Sequence, residues 1–160
     1  MVSSRAVRVV VTLSAGVLAL VVGCREPIAH TWASDLAEAE SRWNASGVTS
    51  YQYDVFRHCF CGSTSTRPVT VTVRYRAFVS LVYMDSGTVA DTSLFRPYLT
   101  MERLFALLHD VLDSGPSSFH AEYASTGFPT VVVVDPDAAI ADAEFSVQVL
   151  AFRPQNAAAR

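Results

Sequence analysis

The sequence predicts an α+β fold in which two helices pack on one face of an antiparallel sheet, in the order α-β-β-β-α-β-β-β. Apolar side chains recur at helical spacing in two segments, and six other segments show the alternation or the short apolar runs of β-strands. The connections between consecutive strands are short, which favours antiparallel pairing. Helices that cover one face of such a sheet form the simplest architecture for this order.

Both predicted helices have recognisable start signals. The first begins near Asp35, which has Glu38 three residues later, as in a capping box, and carries Trp43 on its apolar face. The second follows Thr100, a natural N-cap, and ends before Gly115. Its apolar side chains recur every three or four residues: Met101, Leu104, Phe105, Leu108, Val111 and Leu112.

The six predicted strands differ in how clearly they alternate. The first runs from Tyr51 towards Cys61. Residues 69–75 alternate valine and threonine, which is typical of a strand with one buried face, whereas residues 78–84 are apolar on both faces. The second half of the chain supplies three more strands, at residues 119–124, 130–134 and 144–152.

The first 23 residues have the layout of a bacterial lipoprotein signal peptide. Arg5 and Arg8 form a short basic region, and the apolar run over residues 9–22 is shorter than the roughly 20 residues that a membrane-spanning helix needs. The run ends in LVVGC, which resembles a lipobox. Signal peptidase II would then cut between Gly23 and Cys24, and the lipid, palmitate included, would be carried by that cysteine.

This interpretation predicts the organisation of the chain. The signal peptide covers residues 1–23, a lipidated tether covers 24–33, a single α+β domain covers 34–153, and a disordered tail covers 154–160. The protein is expected to be exported and to be held at the cell membrane or outer membrane through Cys24. Two alternatives stay open: a signal peptide cut at another small residue, and an uncleaved N-terminal anchor.

Composition narrows the classes of function. Without the leader, the chain keeps all 15 acidic and 10 of its 12 basic residues, for a net charge of −5 (10 − 15). No basic run is present, which argues against nucleic acid as a partner. The chain contains no G-x-S-x-G, no H-E-x-x-H and no phosphate-binding loop. We therefore predict no catalytic residue and no cofactor, and the sequence is more typical of a protein that is not an enzyme.

The stretch HCFCG, from His58 to Gly62, is the candidate for chemistry. With Cys24 assigned to the lipid, Cys59 and Cys61 form the one remaining pair, and such a pair in an exported protein predicts a disulfide. Residues two apart in a flat strand are separated by about 6.6–6.8 Å, the upper limit for a disulfide. A bend, which a glycine would assist, would bring the two cysteines into range. A redox-active dithiol and a metal site are the alternatives.

Strand alternation argues against a zinc site at this stretch. It directs His58 to the face opposite Cys59 and Cys61. His109 on the second helix and His120 on a strand would reach the cysteines only if the fold brought them together. Two thiolates are half of a four-ligand zinc site, so we predict no metal ligands.

Four carboxylates cluster near the last predicted turn: Asp135, Asp137, Asp142 and Glu144. Their spacing would suit calcium, but the cluster lacks the pattern of a calcium-binding loop. Acidic residues that form the turn between two strands are the simpler interpretation.

An ordered series of landmarks runs through the chain: Trp43, Tyr51-x-Tyr53, Cys59-x-Cys61, the alternating valines at 69–73, Asp85-x-Gly87, Thr100, Leu104-Phe105, Tyr123, Gly127-Phe128-Pro129, Asp135 and Asp142-x-Glu144. Over residues 35–152 this series resembles a family of small bacterial secreted or lipid-anchored proteins known only as a domain of unknown function. In place of the expected glycine turn between the second and third strands, the chain has Arg74-Tyr75-Arg76-Ala77. The resemblance implies a fold class and a location, and no catalytic residues.

The sequence therefore favours a lipid-anchored protein of the cell envelope that acts as a non-catalytic binding or accessory module. Its expected partners are the membrane, through the lipid on Cys24, and an envelope protein or small ligand of unknown identity. The alternative is a thiol-based redox or metal-handling envelope protein that uses Cys59 and Cys61.

Overall fold

Six antiparallel strands and two α-helices dominate the part of the chain described by the computed structural model, residues 27–155, with side chains described from residue 31 onward. The elements are α1 (Pro27–Ala45), β1 (Tyr51–Cys59), β2 (Val69–Arg74), β3 (Ala77–Tyr83), α2 (Met101–Asp113), β4 (Ser118–Tyr123), β5 (Pro129–Asp135) and β6 (Phe145–Pro154). The predicted signal peptide, the lipidation at Cys24 and the last five residues of the predicted tail lie outside the described residues. None of the helices within residues 27–155 has the length and apolarity to span a membrane.

The α+β class is confirmed, but the predicted order of two helices and six strands is wrong. Two 3-10 helices, Ser63–Ser65 and Thr92–Tyr98, interrupt it. The second begins where the side chain of Asp91 accepts a hydrogen bond from the Ser93 amide at 2.8 Å, and it kinks at Phe95. Segments this short show no helical periodicity, so the apolar pattern could not predict them.

All six strands form one antiparallel sheet, in the spatial order β3-β2-β1-β6-β5-β4. Each set of three consecutive strands is a meander, and the two meanders meet where β1 pairs antiparallel with β6. The first and last strands of the chain are therefore the central pair of the sheet.

The inner face of the sheet and both α-helices enclose a single core. Alternate residues of β1 and β2 are buried, as the valine–threonine alternation predicts. The core also takes side chains from α1 and α2, which therefore cover that face. Its largest fully buried members are Trp43, Tyr51, Tyr53, Phe95, Phe105, Leu36, Leu81, Met101, Leu104 and Leu108.

Helix α1 begins eight residues before the predicted start. Proline is favoured in the first helical turn, where Pro27 stands, and Trp32 packs on Phe119 of β4 with ring centroids 5.9 Å apart. Asp35 therefore lies inside the helix and does not cap it. The predicted start of α2 is confirmed, because the Thr100 hydroxyl accepts a hydrogen bond from the Arg103 amide at 3.2 Å.

An aromatic cluster closes the core where α1 ends. The Trp43 ring makes edge-to-face contacts with Tyr51, Phe128 and Phe152, at centroid distances of 5.4 to 6.2 Å. Its indole N–H and the Tyr51 hydroxyl both lie within hydrogen-bond distance of the Glu102 carboxylate, at 3.4 and 3.5 Å. The cluster thus links α1, the first and last strands, and the first turn of α2.

Gly127 allows the β4–β5 turn to approach the backbone of α1. It has a φ of +97°, and a Cβ at this position would lie 2.1 Å from the Ala39 carbonyl oxygen and 2.6 Å from the Trp43 amide nitrogen. The approach seats Phe128 on Phe152, with ring centroids 4.3 Å apart. The Gly-Phe-Pro landmark therefore has a packing function.

The β2–β3 hairpin turns without glycine. Tyr75 and Arg76, its two central residues, have φ values of 50° and 64°, as in a type I′ turn. The Tyr75 amide donates to the Ser50 hydroxyl at 3.1 Å, and the Arg76 amide donates to the Thr49 carbonyl at 2.7 Å. These contacts with the segment before β1 offset part of the cost of left-handed backbone at non-glycine residues, roughly 1–2 kcal/mol each.

A buried carboxylate on the outer face ties three strands together. Asp54 of β1 accepts two hydrogen bonds from Arg153 of β6, at 2.7 and 2.9 Å, and one from the Thr70 hydroxyl of β2 at 2.7 Å. Desolvation acts to raise the pKa of Asp54, but the hydrogen bonds and the charge of Arg153 outweigh it, and the net effect is a lowered pKa.

We expect Gly127→Ala to lower the free energy of unfolding by roughly 2–4 kcal/mol, because the new methyl group meets helix backbone that cannot move aside. Gly87→Ala is the matched control. Gly87 also has a positive φ, of 66°, but a Cβ there meets no atom within 4 Å, so only the conformational cost of about 1 kcal/mol remains. Urea denaturation measures both, and equal losses would contradict the packing argument.

We expect Asp54→Asn to cost about 1–2 kcal/mol at pH 7, a moderate value because the Arg153 side chain is 47% exposed. The folded pKa of Asp54 lies below its unfolded value, so its stabilising contribution is complete above about pH 4 and is lost as the pH falls through the folded pKa. The difference between wild type and variant should shrink as urea denaturation is repeated at lower pH. Asp85→Asn, which removes an exposed ion pair with Arg67, should change stability little. A difference that stays constant down to pH 2 would contradict the assignment.

Candidate functional site

The HCFCG stretch forms a tight turn at the end of β1. The Cys61 amide donates to the Cys59 carbonyl at 2.8 Å, which is a γ-turn centred on Phe60. The Cα atoms of the two cysteines are 5.2 Å apart, and their sulphur atoms are joined. The bend arises at Phe60, and Gly62, which we expected to assist it, has an ordinary negative φ. We call Cys59, Phe60, Cys61 and Gly62 the Phe60 tip.

The side chain of Phe60 projects from this turn into solvent. It is 84% exposed, the largest exposure among the big apolar side chains of the described residues. The turn hydrogen bond and the disulfide both hold the backbone on either side of it. Because the backbone that carries Phe60 is already restrained, little backbone entropy is lost when the ring contacts a partner.

Shallow grooves border the Phe60 tip. One, of about 320 Å³, is lined by Arg57, Tyr98, Leu107 and Phe145 among others, and a second, of about 400 Å³, is lined by His58, Asp142 and Glu144; both also include Cys59 and Phe60. These volumes lie at the lower end of the range for small-molecule sites, about 300–1,000 Å³. The grooves could take a side chain or a lipid headgroup more readily than a large cofactor.

His58 does not join the two sulphur atoms. In the β1–β6 register Cys59 pairs with Phe145 on the inner face, whereas His58 pairs with Ser146 on the outer face, as strand alternation predicted. His109 and His120 also lie away from the two sulphur atoms. His109 lies 2.8 Å from the Glu40 carboxylate and links the two helices, and His120 lies on β4, 3.4 Å from Glu122.

The four acidic residues divide into two groups. Asp135 and Asp137 accept hydrogen bonds from backbone amides two residues further on, at 3.1 and 2.9 Å, and so shape the turn, as the simpler interpretation held. Asp142 and Glu144 line the groove beside Phe60. Among residues 27–155, no three histidine, cysteine or acidic side chains are grouped closely enough to hold a metal ion.

Arg57 connects the strand before the Phe60 tip to the two 3-10 helices, a function that was not predicted from the sequence. Its guanidinium lies 5.5 Å from the centroids of both the Phe95 and Tyr98 rings, and its Nε donates to the Ser65 carbonyl at 3.3 Å. Arg57 shares its strand parity with Val55 and Cys59. An arginine on an otherwise apolar face was the signal that could have identified it.

The buried phenols of the described core have raised pKa values. Burial is the main cause at Tyr51, Tyr53 and Tyr98, and burial raises the pKa of Tyr123 to about 12. The Tyr53 hydroxyl donates to the Tyr98 carbonyl, and the Tyr51 hydroxyl accepts from the Met101 amide at 2.9 Å. These groups stay protonated at neutral pH and hold the core together.

A family model described as a family of unknown function, DUF6174, matches residues 35–154. The chain belongs to DUF6174. No curated protein and no solved structure matches it.

The DUF6174 match covers most of α1 and all of the sheet. It therefore corresponds to the structural unit, from the helix that carries Trp43 to the strand that carries Phe152. The description of DUF6174 assigns no activity.

Replacing both cysteines, with Cys59→Ser and Cys61→Ser, is expected to lower the free energy of unfolding by about 1.5 kcal/mol, since the closed loop is very short. Intact mass should show a gain of two hydrogen atoms when the wild-type chain is reduced. The control is urea denaturation with added reductant, which should destabilise the wild type by a similar amount and leave the double variant unchanged. Two free thiols in protein purified under air would contradict a disulfide.

Proposed function

We propose that this member of DUF6174 is a lipid-anchored protein of the bacterial cell envelope that acts as a non-catalytic binding or accessory module. The observation that carries the proposal is the LVVGC sequence, with its cysteine at position 24, after a basic region and a short apolar run. The family match begins at residue 35, eleven residues after this cysteine. The proposed export signal and lipid site are thus followed, after a short tether, by the folded domain.

The solvent-facing side of the sheet supports a binding function. It combines the Asp54–Arg153 ion pair with apolar side chains that remain partly exposed, among them Val133 and Leu150, which are 41% and 46% exposed. Polar groups already paired within the fold, beside exposed apolar groups, suit contact with another surface. The partner would be an envelope protein or a small ligand.

The second candidate function is thiol–disulfide exchange. It is favoured by the position of the Cys59–Cys61 bond at the surface, beside grooves that a partner could enter. A dithiol of another envelope protein would attack one sulphur through its thiolate and form a mixed disulfide. The partner's second thiol would then attack the mixed disulfide. The partner would be left with a disulfide, and Cys59 and Cys61 would be left as two thiols. A metal-handling version is less favoured, because His58 lies on the opposite face and no third ligand joins the two cysteines within residues 27–155.

Cys24→Ser is expected to abolish membrane attachment. In a bacterial host that processes lipoproteins, the wild-type chain should fractionate with membranes and should have the mass of a chain that starts at Cys24 and carries acyl groups. The serine variant should keep its leader and lack the acyl mass. The double variant with serine at both other cysteines is the matched control and should remain attached. An unmodified Cys24 in the wild type would refute the proposed anchor.

A further inference from the structure

The Phe60 tip lies at the same end of the domain as the start of α1. Phe119, Val134, Phe145 and Cys59 are aligned across β4, β5, β6 and β1 as one row of paired residues. Trp32 of α1 packs on Phe119, the first member of this row, and the Phe60 tip begins at Cys59, the last. Trp43, eleven residues later in α1, contacts Tyr51 at the other end of β1.

The proposed lipid would therefore be attached close to the Phe60 tip. Helix α1 extends five residues beyond Trp32 to Pro27, a rise of about 7.5 Å. Cys24 precedes Pro27 by three residues, which span at most about 10 Å. A bilayer that holds the lipid on Cys24 would thus lie next to this end of the domain.

This end also presents apolar side chains to solvent. Phe60 is 84% exposed, and Ile140, in the connection between β5 and β6, is 59% exposed. The β5–β6 connection borders the Phe60 tip, because Asp142 and Glu144 line a groove together with Phe60. An aromatic side chain gains free energy when it leaves water for the headgroup region of a bilayer.

We propose that the Phe60 tip is a membrane-docking element, which inserts Phe60 into the surface of a phospholipid bilayer and so orients the domain on it. This inference rests on the proposed lipidation of Cys24, which would hold the tip near the bilayer at a high effective concentration. The contact sets orientation, whereas the lipid supplies the attachment. The β2–β3 hairpin, at the opposite end of β1, then points away from the membrane, towards other envelope components.

The charged side chains beside the Phe60 tip indicate which lipid headgroups it can approach. Asp137, Asp142 and Glu144 are exposed, and Arg57 is half-buried against Phe95 and Tyr98. An anionic bilayer would repel these carboxylates. The tip therefore fits a surface of zwitterionic headgroups, such as phosphatidylcholine or phosphatidylethanolamine.

Tryptophan fluorescence in vesicles tests the docking. The lipidated chain would be purified with Phe60→Trp or with Tyr75→Trp and reconstituted into phosphatidylcholine vesicles that contain brominated acyl chains, which quench tryptophan at short range. Tyr75 is the matched control, because it is 79% exposed and sits in the hairpin docked on Ser50, at the opposite end of β1. Trp32 and Trp43 contribute equally to both variants.

We expect a loss of emission from the tryptophan introduced at position 60, and no loss beyond the wild type at position 75. Equal quenching at both positions, or none at position 60, would overturn the proposal and would leave a protein surface as the partner of Phe60. With phosphatidylglycerol vesicles at low salt, the loss at position 60 should become smaller. If the loss of emission at position 60 were the same with both lipids, the acidic side chains would not face the bilayer, and the proposed orientation would be wrong.

Mass measurement of the purified chain tests the lipid anchor separately from the docking of the Phe60 tip. A chain without acyl groups on Cys24 refutes the proposed anchor and, with it, this docking. An acylated chain whose tryptophan at position 60 escapes quenching refutes the docking alone and leaves the anchor in place.

Discussion

The pairing of β1 with β6 is the constraint on which the rest of the structure depends. The two strands join a meander from the first half of the chain to a meander from the second. Their outer face carries the Asp54–Arg153 ion pair, between residues 99 positions apart in the sequence. Their inner face carries Tyr51 and Phe152, whose rings pack together with Trp43. Without this pair the helices would have two separate three-stranded sheets to cover.

The same pairing determines where the candidate site lies. Tyr53 pairs with Phe152, and after a one-residue shift of register between Asp54 and Val55, Cys59 pairs with Phe145 at the far end of β1. The strand ends there, and the γ-turn at Phe60 lies beyond its hydrogen-bonded ladder. Arg57, whose guanidinium lies near the Phe95 and Tyr98 rings and donates to the Ser65 carbonyl, connects the end of the strand to both 3-10 helices. The candidate site thus directly follows the C-terminal end of β1, and its backbone is connected to the core through Arg57.

The sequence predicted the elements that have a repeating apolar pattern. It did not predict features whose conformation depends on a single tertiary contact. The valine–threonine alternation of β2 and the apolar spacing of α2 identified both elements, and parity separated His58 from the cysteines. The early start of α1 depends on Trp32 meeting Phe119, which is a tertiary contact. The glycine-free turn at Tyr75 depends on hydrogen bonds to a distant segment. For the candidate site, the sequence located the cysteine pair but not the exposure of Phe60, which follows from how the chain leaves the sheet.

The central pairing also governs when the fold can form. Contacts between residues so far apart in sequence carry a high cost of loop closure, and chains dominated by them fold slowly. The middle of the sheet cannot assemble until the last strand has been synthesised and is free to enter between β1 and β5. A chain exported from its N-terminus would therefore cross the membrane before its core could close. On the proposed export, this topology would keep the polypeptide open during passage, and the domain would become compact only after its C-terminal strand arrives.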